Sequence, residues 1–176
     1  MSQRPEKVTG GCLCGSIRFD VAFPEEAPWP PNSCSCQCGI CRKFSGSLIS
    51  HDLILMPQQL SDITKAPTYK EYQSSEGGYR SFCSNCGSGL TWKLSFIPDM
   101  VIVFLGTIDE EFLMGNKIGD SEEQTEVGLT IKRDGGLCKE LTSMNYGHIF
   151  WNNRIPGVTD QESLAGPKFP GSFPME

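Results

Sequence analysis

Nine cysteines stand in the 176-residue chain, and eight of them fall in three tight clusters around Cys12, Cys36 and Cys83. Cys83-Ser84-Asn85-Cys86 is a Cys-x-x-Cys turn, which presents two thiolates to one ion with little strain. Gly87, just beyond it, suits the positive φ that such a knuckle requires. Cys12-Leu13-Cys14 places two side chains on one face of an extended segment, and these can meet the same ion if the chain curls. The two half-sites predict one zinc held by Cys12, Cys14, Cys83 and Cys86. Four protein ligands complete a tetrahedron, so this zinc is expected to be structural. The competing reading is a group of buried thiols packed as small hydrophobes. The paired spacings with flanking glycines favour metal.

The middle cluster is Cys34-Ser35-Cys36-Gln37-Cys38-Gly39-Ile40-Cys41. Cys36, Cys38 and Cys41 put three thiolates on one short loop, and three protein ligands leave a fourth position for water or substrate, as at catalytic zinc. A thiol bound there would lose its proton near neutral pH. Alternatively Cys34 closes the tetrahedron. Cα atoms 34 and 38 lie about 13 Å apart in an extended chain, so closure needs a sharp curl, and the open site is preferred. A regulatory disulfide among these thiols is a third reading. Cys138, after Gly135-Gly136-Leu137, is expected to pack in the interior.

The elements that must carry these residues read as mainly β. Alternation marks a strand from Ser16 to Phe23, and further strands are predicted at 47–56, 69–73, 79–82 and 90–94. Met100 to Thr107 is continuous and β-branched, which predicts a central strand buried on both faces. Segment 108–125 is acidic and weakly patterned, and 127–132 is one more short strand. A single zinc-binding domain over residues 8–155 is expected, with a Pro- and Gly-rich tail over 156–176 that hugs the surface or moves freely.

The net charge of −6 argues against a protein that tracks nucleic-acid phosphates. No apolar run reaches the roughly 18 residues a membrane helix needs, and the polar start Met1–Lys7 predicts no secretory leader. The expected setting is therefore intracellular, cytoplasmic and reducing, where clustered cysteines bind metal rather than pair.

Three segments together resemble the glutathione-dependent formaldehyde-activating enzyme family, which includes the centromere protein V group. They are Gly11-Cys12-Leu13-Cys14-Gly15, Cys36-Gln37-Cys38-Gly39-Ile40-Cys41-Arg42-Lys43, and Tyr79-Arg80-Ser81-Phe82-Cys83-Ser84-Asn85-Cys86-Gly87. Phe104 to Asp109 and His148 to Trp151 add to the likeness, which runs over residues 10–155. The resemblance implies small antiparallel sheets clasped by the four-cysteine zinc, as in the guanine-nucleotide-exchange-factor-like zinc proteins. It implies a second zinc on Cys36, Cys38 and Cys41, where glutathione as co-substrate would combine with formaldehyde into S-hydroxymethylglutathione: a zinc-dependent carbon–sulfur lyase or synthase. Gln37 stands where the family usually has histidine, and Cys34 is an addition.

On that reading Arg42 and Lys43 are candidates to hold a glutathione carboxylate, the competing role being a solvated basic pair. His148 is either a base near the second metal or a hydrogen-bonded core residue. The partners expected are a small thiol and an electrophile, with no nucleic acid and no membrane; the oligomeric state is not specified. Two alternatives accompany this reading. One keeps the chemistry but takes a larger aldehyde or a metabolite–thiol conjugate; the other is a non-enzymatic zinc module that recruits a protein partner.

Overall fold

Strands rather than helices carry the regular structure in the computed structural model, which describes residues 4–160 and 166–172. In chain order these are β1 (Lys7–Gly11), β2 (Arg18–Ala22), β3 (Ser33–Cys36), α1 (Gly39–Ser45), β4 (Ser50–Leu55), β5 (Tyr69–Ser75), β6 (Gly78–Cys83), β7 (Gly89–Leu94) and β8 (Ile97–Phe104). After them come α2 (Glu110–Leu113), β9 (Gly115–Lys117), β10 (Glu123–Thr125), β11 (Gly128–Thr130), β12 (Arg133–Gly135), α3 (Cys138–Leu141) and β13 (His148–Ile149). Among the described residues no helix is long and apolar enough to cross a membrane.

A seven-stranded sheet runs in the order β13-β3-β4-β8-β7-β6-β5, antiparallel except where β13 lies parallel to β3. The central position falls to β8, as its continuous apolar run predicts. Val101 and Val103 face the principal core with Leu53, Leu55 and Leu90, while Ile102 and Phe104 face the other side with Trp92. A strand covered on both faces needs apolar residues at every position rather than at alternate ones. The strand stops at Phe104, and Leu105–Thr107 form a single 3-10 turn instead of continuing it.

The hairpin of β1 and β2 covers the principal core with Val8, Phe19 and Val21. It is tied to the sheet by Asp109, whose carboxylate accepts from Nη1 and Nη2 of Arg18 and from the Thr9 hydroxyl. On the opposite face α1 lays Phe44 against Phe104, with ring centroids 5.6 Å apart. That second face carries the three-cysteine cluster. Residues 166–172, within the predicted tail, lie along β13: the His148 amide donates to the Pro167 carbonyl at 2.7 Å and the Phe169 amide to the His148 carbonyl at 2.9 Å.

Candidate metal centres

The first cluster forms where the β1–β2 turn meets the β6–β7 turn. Cys12 and Cys14 come together because the Gly15 amide donates to the Cys12 carbonyl at 3.0 Å, curling the Cys-x-Cys segment. On the other turn the Gly87 amide donates to the Cys83 carbonyl at 2.8 Å, with Gly87 at φ +77°, a conformation glycine adopts without a Cβ penalty. The four sulfurs all lie within 4.8 Å of one another, with Cys12–Cys14 at 3.6 Å and Cys14–Cys83 at 3.8 Å.

Those separations are far from a disulfide's roughly 2.05 Å, and all nine cysteines are free. They match the edge of a tetrahedron whose metal–sulfur bonds are about 2.3 Å, which is about 3.8 Å. The donor set and spacing therefore fit a soft tetrahedral ion. Hydrogen bonds from Ser16 and then Asn85 hold the Cys14 thiol down to about 5, and the Ser88 hydroxyl holds Cys86 to about 7. Burial pushes Cys12 up to about 11.

The second cluster is not a loop. Cys36 ends β3, Cys38 caps α1, and Cys41 lies in the first turn of that helix. The Cys41 amide donates to the Cys38 sulfur at 3.3 Å, so the cap that starts the helix also fixes two of the thiols. The three sulfurs lie within 4.8 Å of one another, a spacing that also fits one metal. Thiol hydrogen bonds from Cys36 and then Cys41 hold the Cys38 thiol well below the usual range. Cys36 moves strongly upward because its proton stays in those bonds.

Cys34 is outside this group, and among the described residues no fourth histidine, cysteine or carboxylate side chain joins it. It sits fully buried on β3 opposite Asp52 of β4, where burial raises its thiol well above the usual range. Asp52 is itself buried and pushed up to about 6 by desolvation.

Arg80 is the residue that sequence reasoning left without a role. Only 5% exposed, it donates from Nη2 to Cys41 Sγ at 3.3 Å and from Nη1 to the Ser74 hydroxyl. Its guanidinium lies 5.7 Å from the Trp92 ring centroid and 5.8 Å from that of Phe44. Strand alternation could have flagged it: three residues before Cys83 on β6, Arg80 must face the opposite side of the sheet from that cysteine.

The other predicted residues fall around this core. Gln37 is fully buried and turned away from Cys36 and Cys38; its amide accepts from Thr159 Oγ1 at 2.6 Å and donates to the Thr159 carbonyl at 3.1 Å. Arg42 donates to the carbonyls of Leu48 at 2.9 Å and Asn153 at 2.5 Å. Lys43 is exposed one helical turn beyond Ile40. His148 is fully buried, with Nδ1 2.6 Å from the Ser35 hydroxyl and its ring against Trp151. Cys138, expected inside, is exposed. The one-turn helix α3 sends Leu137 and Leu141, four residues apart, into the core, so the position between them faces out.

A cavity of about 560 Å³ opens over Cys36, Cys38 and Cys41, with Arg80 in its wall. Trp92 and Leu94 of β7, Ile40 of α1 and Phe150 also line it; Arg42, Lys43, Gln37 and His148 do not. Phe150 holds this place with a left-handed backbone, φ 53°, a conformation of the kind that clusters at ligand sites.

Comparison with known proteins places the molecule. A curated Halomonas elongata protein carrying the name of a glutathione-dependent formaldehyde-activating enzyme is 32% identical over 107 residues, 58% of this chain and 66% of the relative. The chain thus matches a little under two thirds of that relative's length. A crystal structure of a Rhodobacter sphaeroides protein superposes with a TM-score of 0.46 at 19% identity, over 57% of this chain and 87% of that one. The model of the glutathione-dependent formaldehyde-activating enzyme family matches residues 7–124, taking in both metal centres and Arg80, and the chain belongs to that family.

Proposed function

We propose that the protein makes or breaks a carbon–sulfur bond between a thiol and a carbonyl compound, at a zinc held by Cys36, Cys38 and Cys41. A second zinc on Cys12, Cys14, Cys83 and Cys86 clasps the β1–β2 hairpin to the sheet, as in the guanine-nucleotide-exchange-factor-like zinc proteins. The observation that carries this reading is the convergence of three sulfurs, with no fourth side-chain ligand among the described residues, on the wall of an open cavity. When bound, zinc supplies a Lewis acid and lowers the pKa of a coordinated thiol.

The chain's own residues account for the rest. In the forward direction the thiol S–H adds across a C=O group: a carbon–sulfur bond forms, the thiol proton ends on the former carbonyl oxygen, and nothing is oxidised. Arg80 sets a fixed cation beside Cys41, where it offsets the charge of the clustered thiolates and of an oxygen gaining charge during addition. Trp92 and Phe150 keep water off that end of the cavity. Lys43, on the same face of α1 as Ile40, is the rim cation for a substrate carboxylate, while Arg42 ties α1 to the Leu48 and Asn153 carbonyls. Glutathione with formaldehyde is the pair the family implies, and a reducing compartment such as the cytoplasm keeps such thiols available.

Exchange NMR tests the reading: the zinc-loaded protein should accelerate interconversion of glutathione plus formaldehyde with their adduct, and Cys38→Ser should abolish the effect. With zinc shown to be present on Cys36, Cys38 and Cys41, absence of acceleration would point instead to another adduct or to a zinc module that recruits a protein.

A further inference from the structure

The cavity over the three thiols has walls that formaldehyde does not need. A one-carbon aldehyde displaces little more than one or two waters, about 30 Å³ each. The cavity measures about 560 Å³, within the range of roughly 300–1,000 Å³ typical of pockets for drug-sized ligands. Its hydrocarbon comes from several directions: Trp92 and Leu94 stand two residues apart on one face of β7, Met100 comes from β8, Phe96 from the turn between them, and Ile40 from α1.

Some of this hydrocarbon is left open to solvent. Phe96 is 58% exposed and Ile40 43%. A contiguous apolar surface left open beside reactive groups marks a ligand site. Glutathione does not suit it, because that tripeptide carries two carboxylates and an ammonium. Among the described residues Arg80 is the only lysine, arginine, aspartate or glutamate in the lining, and its guanidinium already serves Cys41 and Ser74. Burying three charges against these walls would leave most of them uncompensated.

We infer that the cavity takes the hydrocarbon skeleton of an apolar aldehyde, aromatic or branched aliphatic, with its carbonyl at the three-cysteine end and the charged part of the thiol substrate over the rim beside Lys43. This deepens the carbon–sulfur reading and rests on it. The bond changes are those given above: the aldehyde carbon gains the sulfur, and its oxygen gains the thiol proton.

The test compares glutathione addition to formaldehyde, isovaleraldehyde and phenylacetaldehyde on the zinc-loaded full chain, each as the catalysed rate relative to the uncatalysed one. The enhancement for phenylacetaldehyde should exceed that for formaldehyde by about tenfold or more, the discrimination a hydrophobic pocket gives for a few extra carbons. Phe96→Ser and Ile40→Ser, both at partly exposed positions, should each cut that ratio by about fivefold. As a readout apart from activity, the unreactive phenethyl alcohol should shift the Trp92 indole resonance, and the shift should weaken in Phe96→Ser. Formaldehyde accelerated as strongly as the larger aldehydes, a ratio unchanged in both variants, or no shift of Trp92 would overturn this inference while leaving the carbon–sulfur reading intact. Acceleration of no aldehyde at all would bring down both.

Discussion

Arg80 Nη2 stands 3.3 Å from Cys41 Sγ, donating a hydrogen bond to a sulfur of the cluster from a side chain that is 5% exposed. A buried guanidinium is tolerated beside negative charge, and the clustered sulfurs provide it where they ionise to hold a metal. Arg80→Met removes the cation and keeps much of the bulk. The expected result is a loss of about 10- to 100-fold in thiol-addition rate, equivalent to about 1.4–2.7 kcal/mol, with the first metal centre retained. Arg80→Lys should recover part of the rate, because it restores charge without the planar fork. Equal rates in wild type and Arg80→Met would assign the residue to packing alone.

The two metal centres should differ in what they do for stability. Cys83 links β6 to the Cys12–Cys14 turn and is fully buried among core residues. Loss of that centre through Cys83→Ser frees the β1–β2 hairpin that covers the principal core, so the melting temperature should fall by about 10 °C or more. Cys36→Ser lies on the other face of the sheet and should cost clearly less while abolishing activity. Calorimetry on the two variants, with zinc counted per chain, checks the assignment; equal losses would contradict it.

Much of this was legible in the cysteine spacings, because a metal site needs only a few residue types at fixed separations. Both sulfur clusters and the central position of β8 follow from that and from hydrophobic pattern. Helix α1 did not show in the sequence: seven residues are too few for a 3.6-residue repeat to stand out. Its start is a thiol cap, since Cys38 accepts from the Cys41 amide, and a cysteine chosen for metal reads poorly as a cap. Strand β1 was missed because Lys7–Gly11 buries its apolar surface mainly through Val8. The cavity could not be read at all, since Trp92, Ile40 and Phe150 meet only through sheet order and the β3–β13 pairing.

The β1–β2 hairpin brings an acid-sensitive contact. Hydrogen bonds from Arg18 are the main cause holding the Asp109 carboxyl below the usual carboxylate range, and the Thr9 hydroxyl helps. A depressed carboxylate contributes stability that is fully present above its unfolded pKa of about 3.9 and is lost as pH falls through the folded value. The side chains are 51% and 28% exposed, so solvent screening limits the contribution to about 1 kcal/mol. Asp109→Asn should therefore be less stable than wild type by about that amount at pH 7. Urea unfolding at stepwise lower pH should show the gap closing below about pH 4; a constant gap would mean that packing and not charge is responsible.

Gln37 supplies the last prediction. It occupies the place between two metal-cluster cysteines, yet strand alternation turns it to the far side, where its amide both accepts from and donates to Thr159. Position 37 therefore fastens residues 156–160 to the cysteine cluster and does not touch the cavity. Gln37→His replaces the amide there with a ring. An imidazole cannot reproduce both contacts with Thr159, and a buried unsatisfied group costs about 1–3 kcal/mol. The variant should unfold more easily by that amount. Its preference for phenylacetaldehyde over formaldehyde should stay within about twofold of wild type, because a residue outside the pocket does not alter discrimination between substrates. A changed preference with unchanged stability would show that the side chain at position 37 reaches the substrate.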